Sequence, residues 1–380
     1  MLEVMFWGAI AMLAYIYVGY PLLAIAIGRL FPRHVRRGDC EPSITVIISA
    51  YNEEKSIAAK IRNTLSLDYP REKLDIIVAS DASIDGTDGI VLGFNDPRVR
   101  LLRVEGRLGK TACQNAAADV ATGDVLLFAD ATTMVEAKAL RAMARNFNDP
   151  DVGCVAGRLV YTSKLADATG NGGTSYWKYE SALRMAESAL GSLIGVSGQL
   201  YAVRAAVYRP IAPDLISDFV IAMDVREMGF RTVLEPGAVC FEETLDRSDQ
   251  ELSMRVRVTL RSLLALARNR HLLNPLRYGS FAWQLGSHKL LRYLSPVFWL
   301  VALLANIALA LQGQGQYVLL LLAQVAGIAV GLLGFHASRR FGGSRLLAQP
   351  YYFLLTNLSS AISLVRFARG DKVVVWTPLR

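Results

Sequence analysis

Only four cysteines occur in the 380 residues, and Cys40, Cys113, Cys154 and Cys240 share no Cys-x-x-Cys spacing. That pattern argues against a disulfide framework or a zinc site and for reduced thiols in a cytosolic domain. Charge is scarce too, at 19% against 53% hydrophobic residues. A soluble domain carries more charge than this, so part of the chain must meet something less polar than water. No stripe of Lys and Arg interleaved with aromatics runs along the chain, so the net charge of +8 does not read as a nucleic-acid groove. Internal repeats and low-complexity tracts are also missing.

What is there begins with apolar runs at residues 4–31 and again from about residue 291. At ~1.5 Å per residue the first can cross a ~30 Å hydrocarbon core. It lacks a basic leader and an Ala-x-Ala site, so it reads as an anchor rather than a cleaved signal. Arg29, Arg33, His34, Arg36 and Arg37 follow it at once, while only Glu3 precedes it. The positive-inside rule then keeps the downstream domain in the cytoplasm. Three further hydrophobic segments are predicted at about 294–311, 317–335 and 347–365. An uncharged connection, Gln312-Gly313-Gln314-Gly315, and a basic loop of His336, Arg339, Arg340 and Arg345 separate them. The last segment is weaker, with Asn357, Ser359, Ser360 and Ser363, and the side of its tail stays open. These segments carry almost no internal charge, which argues against a transporter subunit.

Between the apolar ends, residues 42–245 alternate strands with helical pieces at 55–66, 88–94, 110–121 and 136–146. Such alternation predicts a mostly parallel sheet with helices on both faces. Three strands run straight into acids. Ser43–Ala50 leads to Tyr51-Asn52-Glu53-Glu54, Leu74–Ser80 to Asp81, and Val125–Ala129 to Asp130. Ligands in open α/β sheets sit outside the carboxyl ends of the strands. Acids gathered there point to a nucleotide with a divalent cation, Mg2+ or Mn2+. After the domain, Leu252, Val256, Leu260, Leu263, Leu264 and Ala267 recur at helical spacing among arginines. They predict an amphipathic helix on the membrane surface, with a second such piece at about 278–292. The division is 1–37, anchor and basic flank; 38–246, α/β domain; 247–292, interfacial helices; and 293–380, membrane region and tail.

Several candidate residues admit two readings. Tyr51, Asn52 and Glu53 can hold a base or ribose, or Asn52 can simply cap a helix. Asp85-Gly86 reads as a tight turn with Thr87 as the next cap, which leaves Asp81 in need of a partner. Lys110 in Arg107-Leu108-Gly109-Lys110 can meet a diphosphate or lie in a solvated loop. Asp130-Ala131-Thr132 offers an acid for a metal. Ser217-Asp218-Phe219 opens a helix, with Ser217 as N-cap, and Asp218 is either a dipole partner or a general base. Arg257 and Arg261 share one helix face, suited to phosphate or to lipid head groups.

In this order the motifs resemble the membrane-bound family 2 glycosyltransferases of the GT-A group, which includes cellulose, hyaluronan, poly-N-acetylglucosamine and chito-oligosaccharide synthases. They are Tyr51-Asn52-Glu53, Asp81 in Asp-x-Ser-x-Asp-Gly-Thr, Arg107-x-Gly-Lys110, Asp130, Ser197-Gly198-Gln199, Asp218 and a basic helix. The resemblance covers about residues 42–270. It implies a GT-A fold, an inverting transfer from a nucleotide sugar, a UDP-sugar first among them, and a glycan or lipid-linked acceptor. The product would be an exopolysaccharide or cell-surface glycan, made at the bacterial inner membrane. Tyr51, Asn52, Glu53 and Asp81 would hold the nucleoside, with Lys110, Arg257 and Arg261 on the diphosphate. Asp130 would bind the metal, Asp218 would be the base, and Ser197, Gly198 and Gln199 would shape the acceptor site. Two departures stand out. Thr132 replaces the second acid of the family's Asp-x-Asp motif, and Ser262 stands where a Trp would follow Arg261. The first bears on metal dependence and the second on processivity.

Overall fold

A computed structural model describes residues 1–162, 168–243, 248–341 and 345–373. One sheet carries β1 (Ile44–Ala50), β2 (Leu74–Asp81), β3 (Val99–Val104), β4 (Val125–Asp130), β5 (Met134–Val135), β6 (Val152–Thr162), β7 (Leu200–Arg204) and β8 (Arg231–Glu243). Their spatial order is β3-β2-β1-β4-β7-β6-β8-β5. The first four strands in that order are parallel, as strand–helix alternation predicts. β7 instead runs antiparallel to both β4 and β6. It is reached from the long helix Ala168–Leu190 rather than through a right-handed crossover, so the parallel rule does not govern it.

Both faces of the sheet are covered, which is why its strands read as unbroken apolar runs. Ile44, Val46 and Ile48 pack on one side with Val78 and Leu127. Ile47, Ile77 and Phe128 pack on the other, with Cys113 and Ala117 of the helix Lys110–Asp119 and Ile221 of the helix Ser217–Glu227. The four helical pieces expected between strands lie at Ile57–Leu65, Thr87–Leu92, Lys110–Asp119 and Ala139–Ala144. Two expected caps do not form. Ile216, not Ser217, precedes the Ser217–Glu227 helix, with no side-chain cap. Gly86 precedes the Thr87–Leu92 helix, and the Thr87 hydroxyl is turned instead toward Asp85 and the Glu53 amide. A buried hydroxyl serves the nearest unsatisfied group, and here that group lies across the loop rather than along the helix.

The first apolar run is one helix, Leu2–Leu30, with a π-helical turn at Tyr15–Gly19. Gly28 lets it lie close on the helix Ala168–Leu190, since a Cβ there would stand 2.8 Å from the Ala186 carbonyl oxygen. Among the described residues, Leu2–Leu30 and Gly315–Gly334 are long and apolar enough to cross a membrane. The pair Ser280–Tyr293 and Ser295–Leu311, bent by 55°, makes a third if it is one span. The expected basic loop after residue 335 is not a loop at His336, Arg339 and Arg340, because the helix continues to Phe341. The weak last segment is the helix Arg345–Ala368, which packs on the helix Ser248–Arg268. Its Ser363 hydroxyl donates to the Val256 carbonyl at 3.0 Å. The leucine stripe expected to face lipid is thus largely covered by protein, with Val256, Leu260 and Leu263 all buried. An apolar stripe needs an apolar cover, and its pattern does not say which one.

A polar knot joins three of these segments. The Glu187 carboxylate accepts from the Tyr20 hydroxyl of the first helix and faces His288 Nδ1 at 2.7 Å. Across the ring, His288 Nε2 lies 3.3 Å from Glu180, which also takes Arg292 at 3.3 Å.

Candidate active site

Strand register brings the acids to one edge. Ala50 lies opposite Ser80 and Ser49 opposite Asp130, so β1, β2 and β4 end level. In the loop after β1, the Tyr51 ring lies under the Arg107 guanidinium at 3.6 Å, a cation–π contact. Asn52 takes a left-handed conformation, φ 53°, and its Oδ1 accepts the Ile84 amide at 2.9 Å. The Glu53 amide donates to Thr87 Oγ1 at 2.7 Å, and its carboxylate accepts from Ser56 Oγ at 2.6 Å. Asp81 is buried, and both its oxygens accept the Gly109 amide at 3.0–3.1 Å. The partner it requires is therefore the loop that ends in Lys110. Gly109 bends there with φ 91°, which a side chain would resist.

Lys110 stands at the centre. It forms an ion pair with Asp130 and reaches the Gly198 carbonyl at 3.4 Å. A Cβ added at Gly198 would lie 3.0 Å from Asp218 Oδ2 and 3.5 Å from Lys110 Nζ. Lys110, Asp130, Gly198 and Asp218 thus surround one small space. Burial pushes the Asp218 carboxyl above its ordinary pKa, Lys110 and Lys289 pull it back, and Asp130 adds to the rise. Ser197 Oγ donates to Gln199 Oε1 at 2.7 Å, so the three residues of that turn hold one another beside Asp218.

Three further residues meet here that the sequence reading passed over. Glu242, at the end of β8, accepts from Gln199 Nε2 at 3.3 Å, and burial and Asp130 push its carboxyl up to about 7. Its signal was present, since Ala238-Val239-Cys240-Phe241 is another apolar run into acids. Lys289 comes from the bent segment near the membrane helices and lies 5.3 Å from the Phe219 ring, beside Asp218. Lys60, fully buried, donates to the Thr133 carbonyl at 2.7 Å and supports the loop after Asp130 from below. It sits on the apolar face of its helix with Ile57, Ile61 and Thr64, a position that otherwise reads as core.

The arginine pair is not an open phosphate-binding face. The Arg261 side chain is turned inward, and Nη2 donates to Thr111 Oγ1 at 3.2 Å and to the carbonyls of Pro213, at 2.9 Å, and Leu215. It therefore ties the helix Ser248–Arg268 to the loop that leads into Asp218. Arg257, one turn earlier, is half-buried. For a divalent cation the donor set is one of hard oxygens, Asp130 with Glu242 close by, which suits Mg2+ or Mn2+. Among the described residues no three acids, cysteines or histidines come together, so a nucleotide diphosphate would have to complete the coordination.

Residues 45–199 match the model for glycosyl transferase family 2. An N-acetylglucosaminyltransferase of Bradyrhizobium elkanii is 30% identical over 130 residues, covering 32% of this chain and 69% of that protein. One from Rhizobium meliloti (strain 1021) is 25% identical over 358 residues, 87% of this chain and 80% of that one. The chain spans about half of a further relative of that name from Rhizobium sp. (strain N33). Among solved structures, a mannosyltransferase of Pyrobaculum calidifontis in complex with GDP-Man and Mn2+ superposes with a TM-score of 0.74. The match covers 98% of this chain and 100% of that one at 23% identity, so the likeness is one of fold.

Proposed function

Because the chain belongs to glycosyl transferase family 2, we propose that it moves a sugar from a nucleotide diphosphate sugar to an acceptor hydroxyl, with inversion at the anomeric carbon. The observation that carries this reading is the meeting of Asp218 and Lys110 at Gly198. Asp218 accepts the acceptor's proton as its oxygen bonds to the anomeric carbon. The bond to the diphosphate breaks on the opposite face, and its electron pair leaves with the nucleotide. Burial makes Asp218 a stronger base, and the neighbouring cations keep it ionised. Lys110 exchanges Asp130 for the charge gathering on the leaving diphosphate, the kind of electrostatic stabilisation that dominates such reactions. A divalent cation, when bound, supplies further neutralisation there, and Asp130 is the residue to hold it.

The relatives' names make UDP-N-acetylglucosamine the first donor to test. Tyr51, Asn52, Glu53 and Asp81 form the nucleoside side of the site, and Ser197, Gly198 and Gln199 the acceptor side. Residues 38–246 act at the cytoplasmic face of a bacterial inner membrane, anchored by the helix before Arg29–Arg37 and by the region from residue 293. Ser262, in place of the Trp of polymerising members, favours a second reading in which a lipid-linked acceptor receives a single sugar. Nucleotide release by purified protein tests the proposal. Asp218→Asn should lose ~10²–10⁴-fold in transfer and keep nucleotide binding. Near wild-type transfer would remove Asp218 as the base.

A further inference from the structure

The Asp130-Ala131-Thr132 motif has one acid where the reaction's cation would ordinarily meet two. We propose that Glu242 supplies the second carboxylate, delivered from β8 across the sheet to the position that Thr132 leaves uncharged. This inference rests on the metal-assisted transferase reading above.

Four observations carry it. Glu242 is the penultimate residue of β8, and its neighbour Phe241 pairs with Met134 of β5, the short strand that follows the Asp130–Thr132 loop. That pairing fixes the height of Glu242 against the loop. The Thr132 hydroxyl makes a polar contact with this same carboxylate, so acid and hydroxyl stand side by side where the motif expects an acid alone. Among the described residues Glu242 forms no salt bridge, and the groups that hydrogen-bond its carboxylate, Gln199 Nε2 at 3.3 Å and the Thr132 hydroxyl, are both neutral. A half-buried carboxylate beside another acid, sharing with that acid the one nearby ammonium of Lys110, is a costly arrangement unless a second cation joins it. Lastly, the Lys110 ammonium paired with Asp130 shows that this point already draws positive charge. When the diphosphate takes Lys110, Asp130 and Glu242 are left as a pair of hard donors.

The test is Mn2+ binding to detergent-purified protein with UDP present, read from the loss of the free-ion electron paramagnetic resonance signal. Wild type, Asp130→Asn, Glu242→Gln and the double variant Thr132→Asp/Glu242→Gln are compared. Both single variants should weaken Mn2+ binding by about 10-fold or more, at least the range that outer-shell ligand partners command. The double variant should recover most of the loss, because the acid returns to its motif position. Recovery also excludes misfolding as the cause. Loss in Asp130→Asn but not in Glu242→Gln overturns the inference and leaves the transferase reading standing. Loss in Glu242→Gln without recovery in the double variant also overturns it, since Glu242 would then act elsewhere. Failure of the wild type to bind Mn2+ overturns both.

Discussion

Gly198→Ala separates a catalytic role for Asp218 from a merely nearby one. The new methyl group would sit 3.0 Å from Asp218 Oδ2. Carbon and oxygen are comfortable nearer 3.5 Å, so the carboxylate has to move by roughly half an ångström. A misplacement of about 1 Å can cost 10²-fold, which sets the expected loss at about 10-fold in kcat. The fold should be little affected, because Gly198 is only half-buried and the new group meets side-chain atoms rather than backbone. Gly89→Ala is the control, since nothing lies within 4 Å of a Cβ there. The assay is nucleotide release at saturating donor and acceptor, with nucleotide affinity measured separately. If the effect runs through the base, adding Gly198→Ala to Asp218→Asn costs nothing more. Full turnover in Gly198→Ala, or a further 10-fold loss in the double variant, would refute the reasoning.

Two other outcomes follow from buried cations. Burial pulls the Lys60 ammonium down to about 8 from an ordinary 10.5, so the unfolded chain holds the proton more tightly between those values. Stability therefore rises with pH across pH 8 to 10.5 by up to about 3 kcal/mol. The Tm of wild type measured against Lys60→Met should climb by several degrees over that window, and a constant gap would show that Lys60 is not buried as described. Arg261→Lys should lower kcat about 10-fold while donor KM stays within twofold, because one ammonium cannot serve Thr111, Pro213 and Leu215 together. A large rise in donor KM would instead return Arg261 to the diphosphate.

The part of the candidate site that lies at strand ends was legible in the sequence, because an apolar run into an acid marks both a buried strand and the edge at which it ends. Asp81 and Asp130 are found that way, and Glu242 carries the same mark. The Trp and acid that are missing beside Arg261 and at Thr132 were legible as departures, but not what compensates for them. The contact of Asp218 with Gly198 depends on how β7 and the helix Ser217–Glu227 pack, and neither spacing nor periodicity encodes it. Arg257 and Arg261 do share a helix. Which way Arg261 points was decided by the carbonyls of the neighbouring loop. Basic residues past residue 335 suggested a loop, yet a helix can carry its charges beyond an apolar stretch without ending.

The knot around Glu187 fixes an altitude. Tyr20 belongs to the apolar anchor, Glu187 to a helix of the catalytic unit, and His288 to the bent segment that precedes the next apolar helix. Rocking one against the others would strand a buried carboxylate, at a cost of about 3–5 kcal/mol. The knot therefore resists any motion that would lower Asp218 toward the bilayer or lift it away. On the proposed mechanism an acceptor must bring its hydroxyl to the level of Asp218. A bilayer too thick or too thin must bend its lipids around the protein, at a fraction of a kcal/mol per ångström, because the protein will not bend to the bilayer.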